Sequence, residues 1–222
     1  MFMTMQQFQK ILKFLHIEYE KWDAPAKRFA KECKYKRTPY TILIATVLSF
    51  RTKDEVTFAA AHRLFALADK PKDMLNVSRE TIEKTIYPVG FYRQKAKSIH
   101  HISQELVEKF GGDVPDTLEE LTSIKGVGPK TAKIVLEQAF EKPYVAVDTH
   151  VHRICNIWGL IETKSPEESD RVLEEIVSDE EKRGLNKLLV AFGQTVCKPQ
   201  KPDCKRCPLQ ETLKNFGIQC KV

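Results

Sequence analysis

The sequence lacks the features that mark several large classes of protein. Its longest strongly apolar stretch, residues 41–50, is far shorter than the roughly 20 residues that a membrane helix requires. Only 9 glycines and 11 prolines occur among 222 residues, which excludes collagen-like and low-complexity disordered chains. The sequence therefore predicts a soluble globular protein with no membrane association, large enough to form a core without disulfides or metal.

A secretory signal is also missing from the start of the sequence. The first ten residues, MFMTMQQFQK, have no basic start, no apolar centre and no small-residue cleavage site. We therefore expect a cytoplasmic protein of prokaryotic type in a reducing compartment.

The last 26 residues carry most of the charge excess and most of the cysteines. Residues 197–222 contain six basic and two acidic side chains, which is +4 of the net +6. Clustered thiols in a reducing compartment bind metal more often than they form disulfides. The spacing alone leaves open a zinc ion or an iron–sulfur cluster. The four cysteines are Cys197, Cys204, Cys207 and Cys220, whereas Cys33 and Cys155 stand alone and are interpreted as small core residues.

Apolar residues recur with helical periodicity along the whole chain, and no alternating pattern competes with it, so we predict an all-α fold without strands. Apolar stripes predict one helix around Phe8 to Leu15 and another that ends at Gly111. The run from Ser165 to Glu168 predicts a helix start with a capping box. Further helices are predicted at residues 39–50, 53–68, 78–87, 117–124, 129–141, 149–158 and 180–196.

A tight glycine turn joins two of these predicted helices. Gly126, Val127 and Gly128 separate them, and backbone N–H groups at a helix start suit a phosphate. Lys130 follows in the first turn, where the helix dipole disfavours an ammonium group and favours a nucleophilic amine. A plain helix–helix corner with a solvated lysine is the other interpretation of the same residues.

Asp148 follows an apolar segment and precedes another predicted helix. It is placed to cap that helix, and it could in addition serve as a carboxylate for proton transfer or charge stabilisation. His150 and His152 are two positions apart and do not share a helix face, so they are interpreted as structural or DNA-facing and not as metal ligands.

Together these places resemble the endonuclease III family of helix-hairpin-helix DNA glycosylases. The stretch LTSIKGVGPKTAKIVL is similar to the family's hairpin, AVDTHVHRICN to its catalytic-aspartate segment, and CKPQKPDCKRC to most of its iron–sulfur loop. Two shorter segments also match, LSFRTKDE and VGFYRQKAKSI. The order and separations agree with the family from about residue 41 to residue 207, so the resemblance covers most of the chain.

The resemblance implies a two-lobed all-α protein that binds duplex DNA across its cleft, as a monomer, and is associated with the nucleoid through DNA. Residues 32–142 would form a helical barrel domain containing the hairpin. An N-terminal helix within 1–31 would pack with the C-terminal lobe, 143–222, whose cluster loop is 197–220.

The family's functional roles carry over to matching residues. Lys130 would be the nucleophile and Asp148 the catalytic carboxylate, and the backbone of Gly126, Val127 and Gly128 would bind phosphate. Arg51 and Phe91 occupy the positions that fill the gap left by a flipped nucleotide, where many relatives have glutamine and leucine. Lys205 and Arg206 would follow the DNA backbone.

The resemblance also implies a 4Fe-4S cluster held by Cys197, Cys204, Cys207 and Cys220. Family members usually place the fourth cysteine six positions after the third, which here is Leu213. Cys220 comes seven residues later, so zinc or the absence of a metal remains an alternative.

The activity implied is that of a bifunctional glycosylase and apurinic/apyrimidinic lyase, which excises oxidised pyrimidines through a lysine Schiff base and β-elimination. Two alternatives remain. One is a glycosylase specific for mismatched thymine or adenine, a class that generally lacks the lysine. The other is a damage-binding module without catalysis.

Overall fold

The computed structural model describes residues 3–32 and 34–218, and every regular element within them is helical. The all-α prediction is therefore confirmed. None of the described helices is long and apolar enough to cross a membrane. The helices are α1 (Met5–Tyr19), α2 (Pro25–Glu32), α3 (Pro39–Ser49), α4 (Asp54–Leu67), α5 (Pro71–Leu75), α6 (Arg79–Ile86), α7 (Tyr92–Phe110), α8 (Leu118–Ser123), α9 (Pro129–Phe140), α10 (Thr149–Ile157), α11 (Pro166–Ile176), α12 (Asp179–Lys182), α13 (Leu185–Thr195) and α14 (Gln210–Asn215), with a 3-10 turn at Cys204–Arg206.

The chain divides into two compact units. One takes in Met1–Arg28 and Pro143–Val222, as far as these stretches are described, and the other takes in Phe29–Lys142. The first unit is therefore built from both ends of the chain. The second is a continuous segment that carries the glycine turn.

The core of the first unit forms around α1, α10 and α13. Trp158 and Phe192 are almost fully buried, and their rings lie 5.9 Å apart. The predicted stripe on α1, from Phe8 to Leu15, is buried in the same cluster, together with Cys197 and Cys207. The N-terminal helix and the cysteine loop thus share one core.

The second unit is organised around α3, which packs against α4, α7 and α9. Eight of the eleven α3 residues are buried, so this helix is apolar on nearly all sides and occupies the centre of the unit. Its buried polar groups are paired: the Tyr40 hydroxyl and the Ser103 hydroxyl lie 2.6 Å apart, and Thr46 Oγ1 donates to the Ile42 carbonyl at 2.7 Å. Burial therefore leaves these hydroxyls satisfied.

Two local predictions need correction. The helix predicted at 180–196 is two helices, α12 and α13, because Gly184 between them adopts a left-handed backbone with φ +74°. Ser165 caps α11 as predicted by accepting from the Glu168 N–H, but the Glu168 carboxylate accepts from the Lys164 N–H at 2.8 Å and not from Ser165. The capping box is thus shifted by one residue.

Cys155 is a small core residue, as predicted, whereas Cys33 lies outside the described residues. Cys155 is fully buried in α10. Burial, reinforced by the negative charge of Asp148, raises the pKa of its thiol to about 12.

We therefore expect iodoacetamide at pH 8 to spare Cys155 in the folded protein and to label it after denaturation. A rise in pKa from 9 to about 12 lowers the thiolate fraction about a thousandfold, and burial blocks access as well. Peptide mass spectrometry of native and urea-unfolded samples measures the two labelling rates. Similar rates in both samples would contradict the buried position.

Candidate active site

The glycine turn connects α8 to α9 as the sequence predicts, but its two glycines have different roles. Gly126 has φ +98°, a conformation that other residues rarely adopt, whereas Gly128 is extended at φ −86° and ψ 170°. A side chain at Gly128 would meet nothing within 4 Å, and both glycines are exposed. Only Gly126 is required by the turn itself, and Gly128 leaves the start of α9 open to a ligand.

Val127 anchors the turn between the glycines. Its side chain is 4% exposed, and its backbone N–H donates to the Ile124 carbonyl at 3.0 Å. The Val127 N–H is therefore engaged within the turn. A bound phosphate would receive its hydrogen bonds from the neighbouring backbone N–H groups.

Lys130 is the second residue of α9, directly after Pro129. Pro129 occupies the first helical position and Gly128 is the N-cap, so the first turn of α9 is fixed around Lys130. The Lys130 side chain is half-buried. The lysine is thus held at a helix start beside the exposed backbone of the turn.

Asp148 caps α10, as predicted. Its Oδ1 accepts from the N–H groups of His150 and Val151, at 2.9 and 2.8 Å. Because both bonds use Oδ1, the cap orients the carboxylate while Oδ2 takes part in neither bond. The side chain is half-buried at the end of the buried segment Val145 to Val147.

The neighbouring histidine His152 has a structural role. His152 Nδ1 lies 2.6 Å from the Ser169 hydroxyl, and the side chain of Asn156 donates to the His152 carbonyl at 2.8 Å. These contacts tie α10 to α11. Of the two interpretations given for His152, the structure therefore favours the structural one.

Arg51 and Phe91 come from separate loops of the second unit and lie together. The Arg51 guanidinium carbon is 5.6 Å from the centre of the Phe91 ring, a cation–π arrangement. Both residues have left-handed backbones, with φ +50° and +57°, each costing about 1–3 kcal/mol. Phe91 is 59% exposed, an unusual degree for so large an apolar side chain. Such strained, exposed pairs are typical of functional surfaces.

The cysteine loop surrounds one small cavity. Cys197, Cys204 and Cys207 line it together with core side chains, among them Trp158 and Leu213. Arg153 from α10, which the sequence analysis did not single out, donates to Cys197 Sγ at 3.3 Å and to the Cys197 carbonyl. Cys220 lies outside the described residues.

The two basic residues predicted to follow DNA lie on the same loop. Lys205 and Arg206 form part of the 3-10 turn Cys204–Arg206, whose start is capped by Asp203, and both side chains are exposed. Arg206 is 4.0 Å from the Asp203 carboxylate. This surface pair is weak, so both cations face solvent and can meet a phosphate.

Comparison with known proteins shows the family of this chain. Residues 44–179 match the family model described as HhH-GPD superfamily base excision DNA repair protein. Endonuclease III of Thermotoga maritima is 46% identical over 184 residues, which are 83% of this chain and 86% of that protein. The chain belongs to the endonuclease III family.

Solved structures of endonuclease III match nearly the whole chain. A non-covalent endonuclease III–DNA complex superposes with a TM-score of 0.82 at 32% identity, covering 98% of this chain and 100% of the other. A trapped endonuclease III–DNA covalent intermediate superposes with a TM-score of 0.81 at 32% identity, covering 96% and 99%. The endonuclease III fold thus extends beyond the segment that carries the motifs.

Leu213 is one departure from the endonuclease III pattern of cysteines. Leu213, where the family usually has its fourth cysteine, is 1% exposed in α14 and lines the same cavity as the three cysteines. This position therefore faces the cysteines but supplies an apolar side chain. Residue 213 thus offers no thiolate to a metal or cluster.

Proposed function

We propose that this protein is a bifunctional DNA glycosylase and apurinic/apyrimidinic lyase that excises oxidised pyrimidines from duplex DNA. The observation that carries the proposal is Lys130, held in the first turn of α9 beside an exposed glycine turn. The whole-chain similarity to a trapped endonuclease III–DNA covalent intermediate supports it.

In the proposed reaction the Lys130 amine attacks the sugar carbon that bears the damaged base. A nitrogen–carbon bond forms, the glycosidic bond breaks, and the base leaves with the electron pair and gains a proton. The nitrogen then loses a proton, the C1′–O4′ bond of the sugar ring breaks with O4′ taking up a proton, and the carbon–nitrogen double bond of the Schiff base forms. This double bond makes the neighbouring C2′ proton of the sugar acidic. Its removal expels the 3′ phosphate by β-elimination and cuts the strand.

Asp148 supplies the carboxylate of the reaction. The two N–H groups that bind Oδ1 hold the side chain in one orientation, and this preorganisation is what a catalytic carboxylate needs. Asp148 has two chemical roles consistent with this position: acceptance of a proton as the nucleophile becomes neutral, and stabilisation of positive charge on the sugar.

DNA binding in this proposal combines phosphate contacts with base extrusion. The backbone around Gly126 and Gly128 and the exposed Lys205 and Arg206 bind phosphates. The damaged nucleotide leaves the stack, and Arg51 and Phe91 fill the gap. The partner is therefore damaged double-stranded DNA.

Borohydride trapping on a duplex with one oxidised pyrimidine tests this function. Reduction of the Schiff base should leave a covalent protein–DNA adduct, and an undamaged duplex of the same sequence should give none. Excision without an adduct, on either this duplex or one with a thymine or adenine mismatch, would instead indicate a monofunctional glycosylase. Binding without excision would indicate a damage-binding module.

The cysteine loop offers the soft sulfur donors that an iron–sulfur cluster or a zinc ion requires. Three of its cysteines line one cavity, and the Arg153 N–H directed at Cys197 Sγ would stabilise a negatively charged sulfur ligand. The family implies a 4Fe-4S cluster, and we propose that Cys197, Cys204, Cys207 and Cys220 hold it.

Serine at either Cys207 or Cys220 should lower the bound iron and the visible absorbance of the purified protein. Oxygen in place of sulfur removes one thiolate ligand from the cluster. Cys155→Ala is the matched control, because it removes a cysteine that is buried away from the cavity lining. Full iron content in Cys220→Ser would place the fourth ligand at another residue.

A further inference from the structure

A buried lysine links the two loops that carry Arg51 and Phe91. Lys95 lies one turn into α7 and is only 7% exposed. Its Nζ donates to the carbonyls of Leu48 and Phe50, at 2.7 and 2.5 Å, and to Thr52 Oγ1 at 3.0 Å. The ammonium group therefore binds the residues on both sides of Arg51.

The backbone of Lys95 is tied to the other loop. Its N–H donates to the Phe91 carbonyl at 3.0 Å, the first helical bond after the left-handed Phe91. Lys95 thus contacts Phe91 through its main chain and the neighbours of Arg51 through its side chain. A movement of either loop relative to the other would break one set of these bonds.

The two loops approach each other as closely as their backbones allow. The Gly90 N–H donates to Thr52 Oγ1 at 3.2 Å, and a Cβ at Gly90 would lie 2.5 Å from the Arg51 carbonyl oxygen. Glycine is therefore required at position 90 for this approach. The close contact brings the two strained residues side by side.

We propose that Lys95 is a positioning residue, which holds Arg51 and Phe91 together so that they enter the gap in the DNA as one rigid pair. This inference rests on the proposed function, because it says which residue holds the gap-filling side chains in place. Two left-handed residues in exposed loops persist only when their surroundings fix them. Lys95 supplies that constraint through three hydrogen bonds from one charged group.

The chemistry of the site explains why a lysine is suited to it. An ammonium group has three donors, and here three oxygen acceptors surround it. Burial lowers the pKa of Lys95 to about 8, so the group remains mostly charged at neutral pH. Charge-assisted bonds of this kind are stronger than neutral ones.

Lys27 provides a matched control. It is also 7% exposed, and its Nζ donates to the carbonyls of Tyr19 and Glu20 at the end of α1, at 2.7 and 2.9 Å. Both lysines therefore bind carbonyl groups at the end of a helix. Only Lys95 does so beside Arg51 and Phe91.

The experiment compares Lys95→Met with Lys27→Met on a duplex that contains a stable abasic-site analogue beside 2-aminopurine. Fluorescence of 2-aminopurine reports unstacking when side chains enter the gap, and no catalysis is needed. We expect Lys95→Met to lose this signal and to slow single-turnover excision about ten- to a hundredfold, as misplacement of positioning groups does. Lys27→Met should keep both, even if its melting temperature falls.

A double-mutant cycle with Phe91→Ala tests whether Lys95 acts through the pair. If it does, the double variant should be no slower than the slower single variant. Multiplying effects, or a Lys95→Met protein that retains the fluorescence signal, would overturn the proposal. If Lys95→Met does not fold, Thr52→Ala serves as the test. It removes the hydroxyl oxygen that accepts from both Lys95 Nζ and the Gly90 N–H. Failure of the proposed function is distinguishable, because the wild type would then form no borohydride adduct, whereas the 2-aminopurine signal requires no adduct.

Discussion

Lys130→Gln should abolish strand cleavage and adduct formation while leaving duplex binding close to that of the wild type. The amide of glutamine is similar in size but has no nucleophilic lone pair, so no Schiff base can form. The glycine turn is unaffected, because its conformation depends on Gly126 and on the Val127 to Ile124 hydrogen bond.

Single-turnover nicking of a duplex with a pre-formed abasic site measures this effect directly. We expect a loss of at least about a thousandfold, in the range seen when a catalytic nucleophile is removed. Lys125→Gln is the matched control, since it removes an exposed lysine on the other side of the same turn. It should weaken binding at most. Undiminished nicking by Lys130→Gln would show that another amine is the nucleophile.

Asp148→Asn should slow base excision about a hundredfold or more while binding changes little. Removal of a general base or a charge-stabilising carboxylate has effects of about 10²–10⁴-fold on rate. Asparagine retains the oxygen that accepts from His150 and Val151 and is as good an N-cap as aspartate. The helix start should therefore be preserved.

Comparison with Asp148→Ala separates the two roles of this residue. Alanine removes the cap as well as the charge, which should lower the free energy of unfolding by about 1 kcal/mol. Both variants should lose excision, but only the alanine variant should unfold earlier in urea. Normal excision by Asp148→Asn would mean that the carboxylate is a cap and nothing more.

The helix limits could be predicted because they depend on neighbours in the sequence. Ser165 and Asp148 cap helices through N–H groups two or three residues away, and α7 ends at Gly111 by a similarly local contact. Short helices such as α5, Pro71–Leu75, were missed, since one and a half turns carry too little periodicity to detect. Tertiary packing stabilises them instead.

The candidate nucleophile and carboxylate could be predicted from the sequence for a similar reason. Lys130 and Asp148 stand at helix starts whose turn and cap residues are adjacent in the chain, and the motifs around them resemble a known family. The resemblance of these motifs, together with the local sequence at the two helix starts, thus identified both candidates before any tertiary contact was known.

The sequence by itself established the all-α fold, the glycine turn, the two helix-start residues and a cysteine-rich loop. Folding in three dimensions established the contacts of Lys95, which reach residues 43 to 47 positions away, and the burial of Leu213 beside the cysteines. Arg51 and Phe91 adopt backbones that local preference disfavours. Long-range hydrogen bonds and packing overcome that preference. These contacts join residues far apart in the chain, so no local sequence pattern predicts them.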